Sequence, residues 1–205
     1  MNTIRFFLSA VALMVVLVSC QKEIDSGVGG GNGSNKNIIG DWDFVGMTAS
    51  TNATVTVPSP LGETKVVTTS AYRTENNTGT VKITGTEFIY NNFGYSIDTV
   101  MNVKTYMAGL LIDNTNMPFA ITSPPLSDTT TYTKISSDSL NVNGFAGVPD
   151  PTGMMPTGPV GVKIGWSGDT LLLKVQTTIS QNINQGGVNA TLSGSVNGVT
   201  KLKRR

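Results

Sequence analysis

Histidine is missing altogether from the 205 residues, and cysteine occurs once, at Cys20. Without imidazole there is no Ser-His-Asp or Cys-His machinery, no ordinary charge switch near neutral pH, and most zinc sites are excluded. A single thiol rules out an intrachain disulfide. Charge is scarce as well: Asp, Glu, Lys and Arg make up 13% of the chain, about half the ~25% usual in globular proteins. The formal net charge is +1 and the sequence has no basic stripe, so nucleic acid is not an expected partner. In place of charge stand Thr, Ser and Asn, about three residues in ten. Hydrophobic residues at 39% are enough to bury a core, which argues against wholesale disorder.

The N-terminus reads as a leader. One cation, Arg5, precedes residues 6–18 (FFLSAVALMVVLV), which are apolar throughout except Ser9. That run is shorter than the ~20 residues a membrane-spanning helix needs, but has the length of a signal-peptide core. It ends in Leu17-Val18-Ser19-Cys20, which resembles the lipobox of bacterial lipoproteins. The resemblance implies cleavage before Cys20, acylation of that residue, and the lipid bilayer as a partner. Residues 1–19 are then the signal peptide, and what remains carries 13 basic and 13 acidic side chains. Residues 20–37 form a Gly/Ser/Asn-rich tether, a composition that behaves as a flexible coil. The Lys22-Glu23-Ile24-Asp25 cluster resembles the export signal of Bacteroidota surface lipoproteins, interrupted by Ile24. An outer-membrane, lipid-anchored location is the expectation, with surface exposure implied.

From Ile38 onward the signals are those of strands. Thr, Val, Ile and aromatics dominate, turn residues recur about every ten positions, and no window shows helical periodicity. A Gly168-Asp169 loop suits a type II′ turn, which sets Trp166 opposite Leu171, Ile164 opposite Leu173 and Val162 opposite Val175. The same register sets Lys163 against Lys174, which counts against it. Ile135 to Leu140 repeats the pattern around Asp138, and Asn91-Asn92 predicts a third hairpin, with Tyr90 opposite Phe93 and Phe88 opposite Tyr95. Asn197-Gly198 is a fourth turn signal. An antiparallel up-and-down β-barrel over residues 38–205 is the economical architecture, because closure leaves no long edge exposed. A two-sheet β-sandwich is the alternative.

Gly40-Asp41-Trp42 opens the first of these strands. It resembles the Gly-x-Trp motif of lipocalins, and the whole plan resembles the lipocalin-like lipoproteins of Bacteroidota. The resemblance implies that Trp42 closes the barrel floor against a basic residue of the last strand, for which Lys201, Lys203, Arg204 and Arg205 are candidates. Alternation turns Trp42 and Phe44 inward and both Asp41 and Asp43 outward. A solvated pair of carboxylates offers no split in pKa for acid–base catalysis. Asp113-Asn114-Thr115-Asn116 starts like a calcium loop but lacks its later Gly and Glu, and reads as an Asx turn. No S-x-x-K occurs. An enzyme is not expected, and no cofactor or metal is implied.

Two stretches read as loops at a mouth. Residues 144–161 carry five Gly and four Pro around Met154-Met155, and residues 117–121 (MPFAI) precede Pro124-Pro125. Four Asp-Ser/Thr-containing triplets, beginning at Asp98, Asp128, Asp138 and Asp169, also resemble the O-glycosylation site of Bacteroidota. Two functions follow. One is a barrel binding a small apolar or amphiphilic ligand, with Phe88, Tyr90, Tyr95, Trp166, Met154 and Met155 lining the cavity. The other is an envelope interaction or assembly module whose aromatic side chains fill the interior.

Overall fold

A computed structural model describes residues 36–60, 62–144, 158–185 and 188–205. The folded unit is Asn37–Arg205. Cys20, the signal and tether segments before residue 36, and the loop residues Met154 and Met155 lie outside the described residues.

Every described element is a strand: β1 (Gly40–Val57), β2 (Thr64–Arg73), β3 (Glu75–Ile83), β4 (Glu87–Met107), β5 (Leu110–Lys134), β6 (Ser139–Asn143), β7 (Pro159–Ser167), β8 (Thr170–Gln185) and β9 (Val188–Arg204). All pairings are antiparallel between chain neighbours, except that β1 also pairs with β3 and β9, and β2 with β4. β2 and β3 share one place in the order, since both pair with β1 on one side and β4 on the other. The β1–β9 pairing, from Trp42↔Arg204 to Thr56↔Thr191, closes the sheet into a ring. Short connections and Thr/Val/aromatic alternation produce this meander without any crossover.

The strands divide at a line of irregularities. The register shifts between Phe44 and Gly46 in β1, between Glu75 and Thr80 in β3, and between Tyr90 and Tyr95 in β4. Such bulges bend a strand and reset which residues face inward. Thr74, between β2 and β3, stitches the line. Its amide donates to the Met47 carbonyl and its Oγ1 accepts from the Met47 amide, both at 2.8 Å. Below the line the ring is complete, with β6 and β7 bridging β5 to β8. Above it six strands continue in the order β8-β9-β1-β2-β4-β5. There, among the described residues, β5 before Tyr132 pairs only with β4, and β8 after Val175 pairs only with β9.

The Gly168-Asp169 hairpin has the expected register, Lys163 opposite Lys174 included, and Gly168 takes φ 56 at the first central position. Three expectations are corrected. Asn91-Asn92 is no hairpin loop but a bulge inside β4, with Asn92 at φ 50. The extra residue shifts the inward phase from Phe88 and Tyr90 to Phe93, Tyr95 and Ile97, so all five are buried on one strand. Asn197-Gly198 lies within β9, because two partners, β1 and β8, hold that segment extended. Residues 113–121, read as an Asx turn followed by a loop, belong to β5. Pro118 is tolerated there because, among the described residues, β5 pairs at that height with β4 alone and needs no second row of amide donors. The Ile135–Leu140 repeat does form a hairpin, but Lys134 rather than Ile135 faces Leu140, which leaves Ile135 exposed.

Candidate functional site

At the lower end, Trp42 is wholly buried and Phe44 nearly so. The Trp42 indole N–H donates to the Ile38 carbonyl at 2.9 Å, and its ring lies 5.9 Å from that of Trp166. Of the four basic candidates it is Arg204, across the closing seam, whose guanidinium sits 4.8 Å from the Trp42 ring centroid. The Arg204 guanidinium also donates to the Asn37 carbonyl at 2.6 Å and stands over Gly40, where an added Cβ would lie 3.7 Å from Nη1. Asp41 is exposed, and Asp43 forms an ion pair with Arg205 at 2.8 Å.

Above Trp42 lies an aromatic cluster. Phe44 and Phe93 are 4.1 Å apart, Phe88 and Tyr132 4.9 Å, and Tyr90 and Phe93 5.3 Å in an edge-on arrangement. Contacts of this kind add to simple area burial. Burial raises the phenol pKa of Tyr90, with the Asp128 carboxylate adding to the effect. Tyr95 is pushed up to about 12 by burial, moderated by a hydrogen bond with Ser123. Tyr132 is also raised by burial, and its hydroxyl donates to the Thr84 carbonyl at 2.7 Å. Phe88, Tyr90 and Tyr95, expected as ligand contacts, are thus brought together and buried against other rings, while Trp166 is half-buried beside Trp42.

A different surface lies above the line of bulges, on the inward face of the six continuing strands. Directly opposed residues there are small: Ala49 faces Gly198 and Ala53 faces Gly194 across the β1–β9 seam. Flanking them, Val55, Ile179, Ile183, Leu192 and Val196 make a second apolar cluster with Ala53. At its base the buried hydroxyls of Thr51 and Ser70 hydrogen-bond each other at 2.8 Å. A Cβ added to Gly198 would meet nothing within 4 Å except the Thr48 carbonyl oxygen at 3.9 Å, so there is room on this face. On β4 and β5 the register sets Met101 opposite Met117, which is exposed, and Thr99 opposite Phe119. Small and hydroxyl-bearing residues give no sequence signal of their own, and alternation alone could have grouped them only once the pairing was known.

Among the described residues no three His, Cys, Asp or Glu side chains cluster as a metal site requires. No protein-family model, curated protein or solved structure matches the chain.

Proposed function

We propose that the chain is a non-enzymatic lipoprotein of the outer membrane, anchored through acylated Cys20, whose closed sheet is a lipocalin-like barrel for a small apolar or amphiphilic ligand. The observation that carries the reading is the inward face above the aromatic cluster. It is apolar and hydroxyl-lined, floored by Ala49, Ala53, Gly194 and Gly198, and has room at Gly198. A concave apolar surface with a few polar groups is what small-molecule sites use. The ligand then sits above Phe88, Tyr90 and Tyr95 rather than among them, because those rings already occupy one another. The closing seam, with Arg204 over Trp42, fits the barrel floor that the Gly-x-Trp resemblance implies.

The close ring packing also favours a second reading, an interaction module with a filled interior. One titration separates the two. An environment-sensitive apolar probe should bind the full-length protein and be displaced by a neutral monoacylglycerol. Gly198→Leu should weaken that binding at least tenfold with the melting temperature nearly unchanged. Probe binding that is indifferent to Gly198→Leu and to the competitor would overturn the ligand reading and leave the interaction module.

A further inference from the structure

The pairing register gathers four lysines on the outer face of the lower end. Lys163 on β7 is directly opposite Lys174 on β8. Lys201 and Lys203 on β9 face Leu172 and Thr170, residues on the same side of β8 as Lys174. All four are exposed. Lys174 reaches across Gly165, where an added Cβ would meet its Cε at 3.2 Å and Nζ at 3.3 Å. The ion pairs among the described residues are Arg73–Glu75 and Arg205–Asp43, and neither involves these lysines. The nearest carboxylate in register, Asp43 opposite Lys203, is bonded to Arg205, while Asp138 and Asp169 stand in the adjoining turns. Like charges directly opposed across two strands destabilise a sheet. In a chain with 13% charged residues and about three residues in ten Thr, Ser or Asn, neutral side chains would fit those places. The repulsion is relieved if the face meets anions.

We propose that this face docks on an anionic lipid surface, its four lysines meeting headgroup phosphates. Charge complementarity selects the partner, and the path of the chain selects the membrane. Arg204 holds the Asn37 carbonyl at the lower end of the ring, on β9, the strand that carries Lys201 and Lys203. The Gly/Ser/Asn-rich stretch back to Cys20 spans roughly 20–25 Å r.m.s. if it is a coil, so an anchored chain keeps the patch near the bilayer. That last step rests on attachment through Cys20. An acyl anchor supplemented by a basic patch is a recognised two-signal arrangement, and each lysine near an anionic surface contributes roughly fivefold in partitioning.

The test uses the two tryptophans as donors, since Trp42 and Trp166 are the only ones and both lie at the lower end. The full-length protein is reconstituted into vesicles of phosphatidylcholine, with or without phosphatidylglycerol, containing a dansyl-headgroup acceptor. Energy transfer should be stronger on the anionic vesicles and fall to the neutral level near 0.5 M salt, where screening reaches a few ångströms. The double variant Lys163→Gln/Lys174→Gln should lower the docked-to-undocked ratio roughly 25-fold. Lys65→Gln/Lys104→Gln, the same charge change on the upper strands, should leave it unaltered. Equal transfer on both lipids, or equal loss in both double variants, overturns the proposal. So does a DNA duplex that binds with the same lysine dependence while anionic vesicles draw no transfer. Flotation reports the anchor separately: a chain floating only with anionic vesicles supports docking and refutes attachment, and one floating with neither refutes both.

Discussion

Gly79 offers the sharpest check on the line of bulges. It has φ +98, and an added Cβ would stand 2.4 Å from the Asn92 carbonyl oxygen, 2.6 Å from its carbon and 2.7 Å from the Asn91 carbonyl oxygen. These are backbone atoms of the β4 bulge, so no side chain can swing aside. In Gly79→Ala the disfavoured backbone conformation costs about 1–3 kcal/mol, and overpacking adds about 1–3. Reduced freedom of the unfolded chain returns about 0.4–1 kcal/mol. The net loss is about 1–5.5 kcal/mol, centred near about 3 and a large part of the ~5–15 kcal/mol that holds a typical domain together. In a domain of this size each kcal/mol moves the midpoint by about 2–4 °C, so about 3 kcal/mol lowers it by roughly 6–12 °C. Gly198→Ala is the control. Its added methyl meets only the Thr48 carbonyl oxygen, at ordinary contact distance, so it should be neutral or stabilise by up to about 1 kcal/mol. Urea unfolding followed by tryptophan fluorescence measures both. A Gly79→Ala midpoint within error of wild type, or equal losses in the two variants, would refute the close approach of β3 to the β4 bulge.

Trp42→Ala removes a wholly buried indole from the seam and should cost about 3–5 kcal/mol; an unchanged melting temperature would contradict its role as an anchor. The contribution of the buried tyrosines to stability should be fully present below about pH 10, the unfolded phenol value, and be lost progressively above it. The reason is that Tyr95, raised to about 12, and Tyr90, raised further, hold their protons more tightly in the folded state. Tyr95→Phe should flatten the decline between pH 10 and 12, which denaturation midpoints across that interval measure. Cys20→Ala should release the protein from the membrane fraction or leave its precursor uncleaved. Fractionation identical to wild type would count against lipid attachment.

Much of the lower end was legible in the sequence because local chemistry dictates it. Gly168-Asp169 suits a type II′ turn, and once that turn forms, period-two alternation places Trp166, Ile164 and Val162 against Leu171, Leu173 and Val175. The inward phase of Trp42 and Phe44 follows from the same alternation. Asn91-Asn92 shows the limit of that reasoning. Both a tight turn and a bulge need a residue that tolerates positive φ, so the dipeptide signals either. Only the partners on each side, β3 and β5, decide that the strand continues. Asn197-Gly198 fails in the same way, its turn chemistry overruled by ladders to β1 and β8.

What the sequence by itself determined is therefore the alternation, the scarcity of charge and the strand class of the domain. These depend on residue type and spacing along one segment. The closing of β9 on β1, the choice of Arg204 among four basic residues, the small-residue floor and the gathering of Lys201 and Lys203 beside Lys163 and Lys174 belong to the tertiary structure. Each joins segments far apart in the chain, and a strand's own residues carry no record of which partner lies beside it. Pairing is selected by the free energy of the whole sheet: the aromatic side chains must share one interior, and every backbone donor below the bulges needs an acceptor on a neighbouring strand.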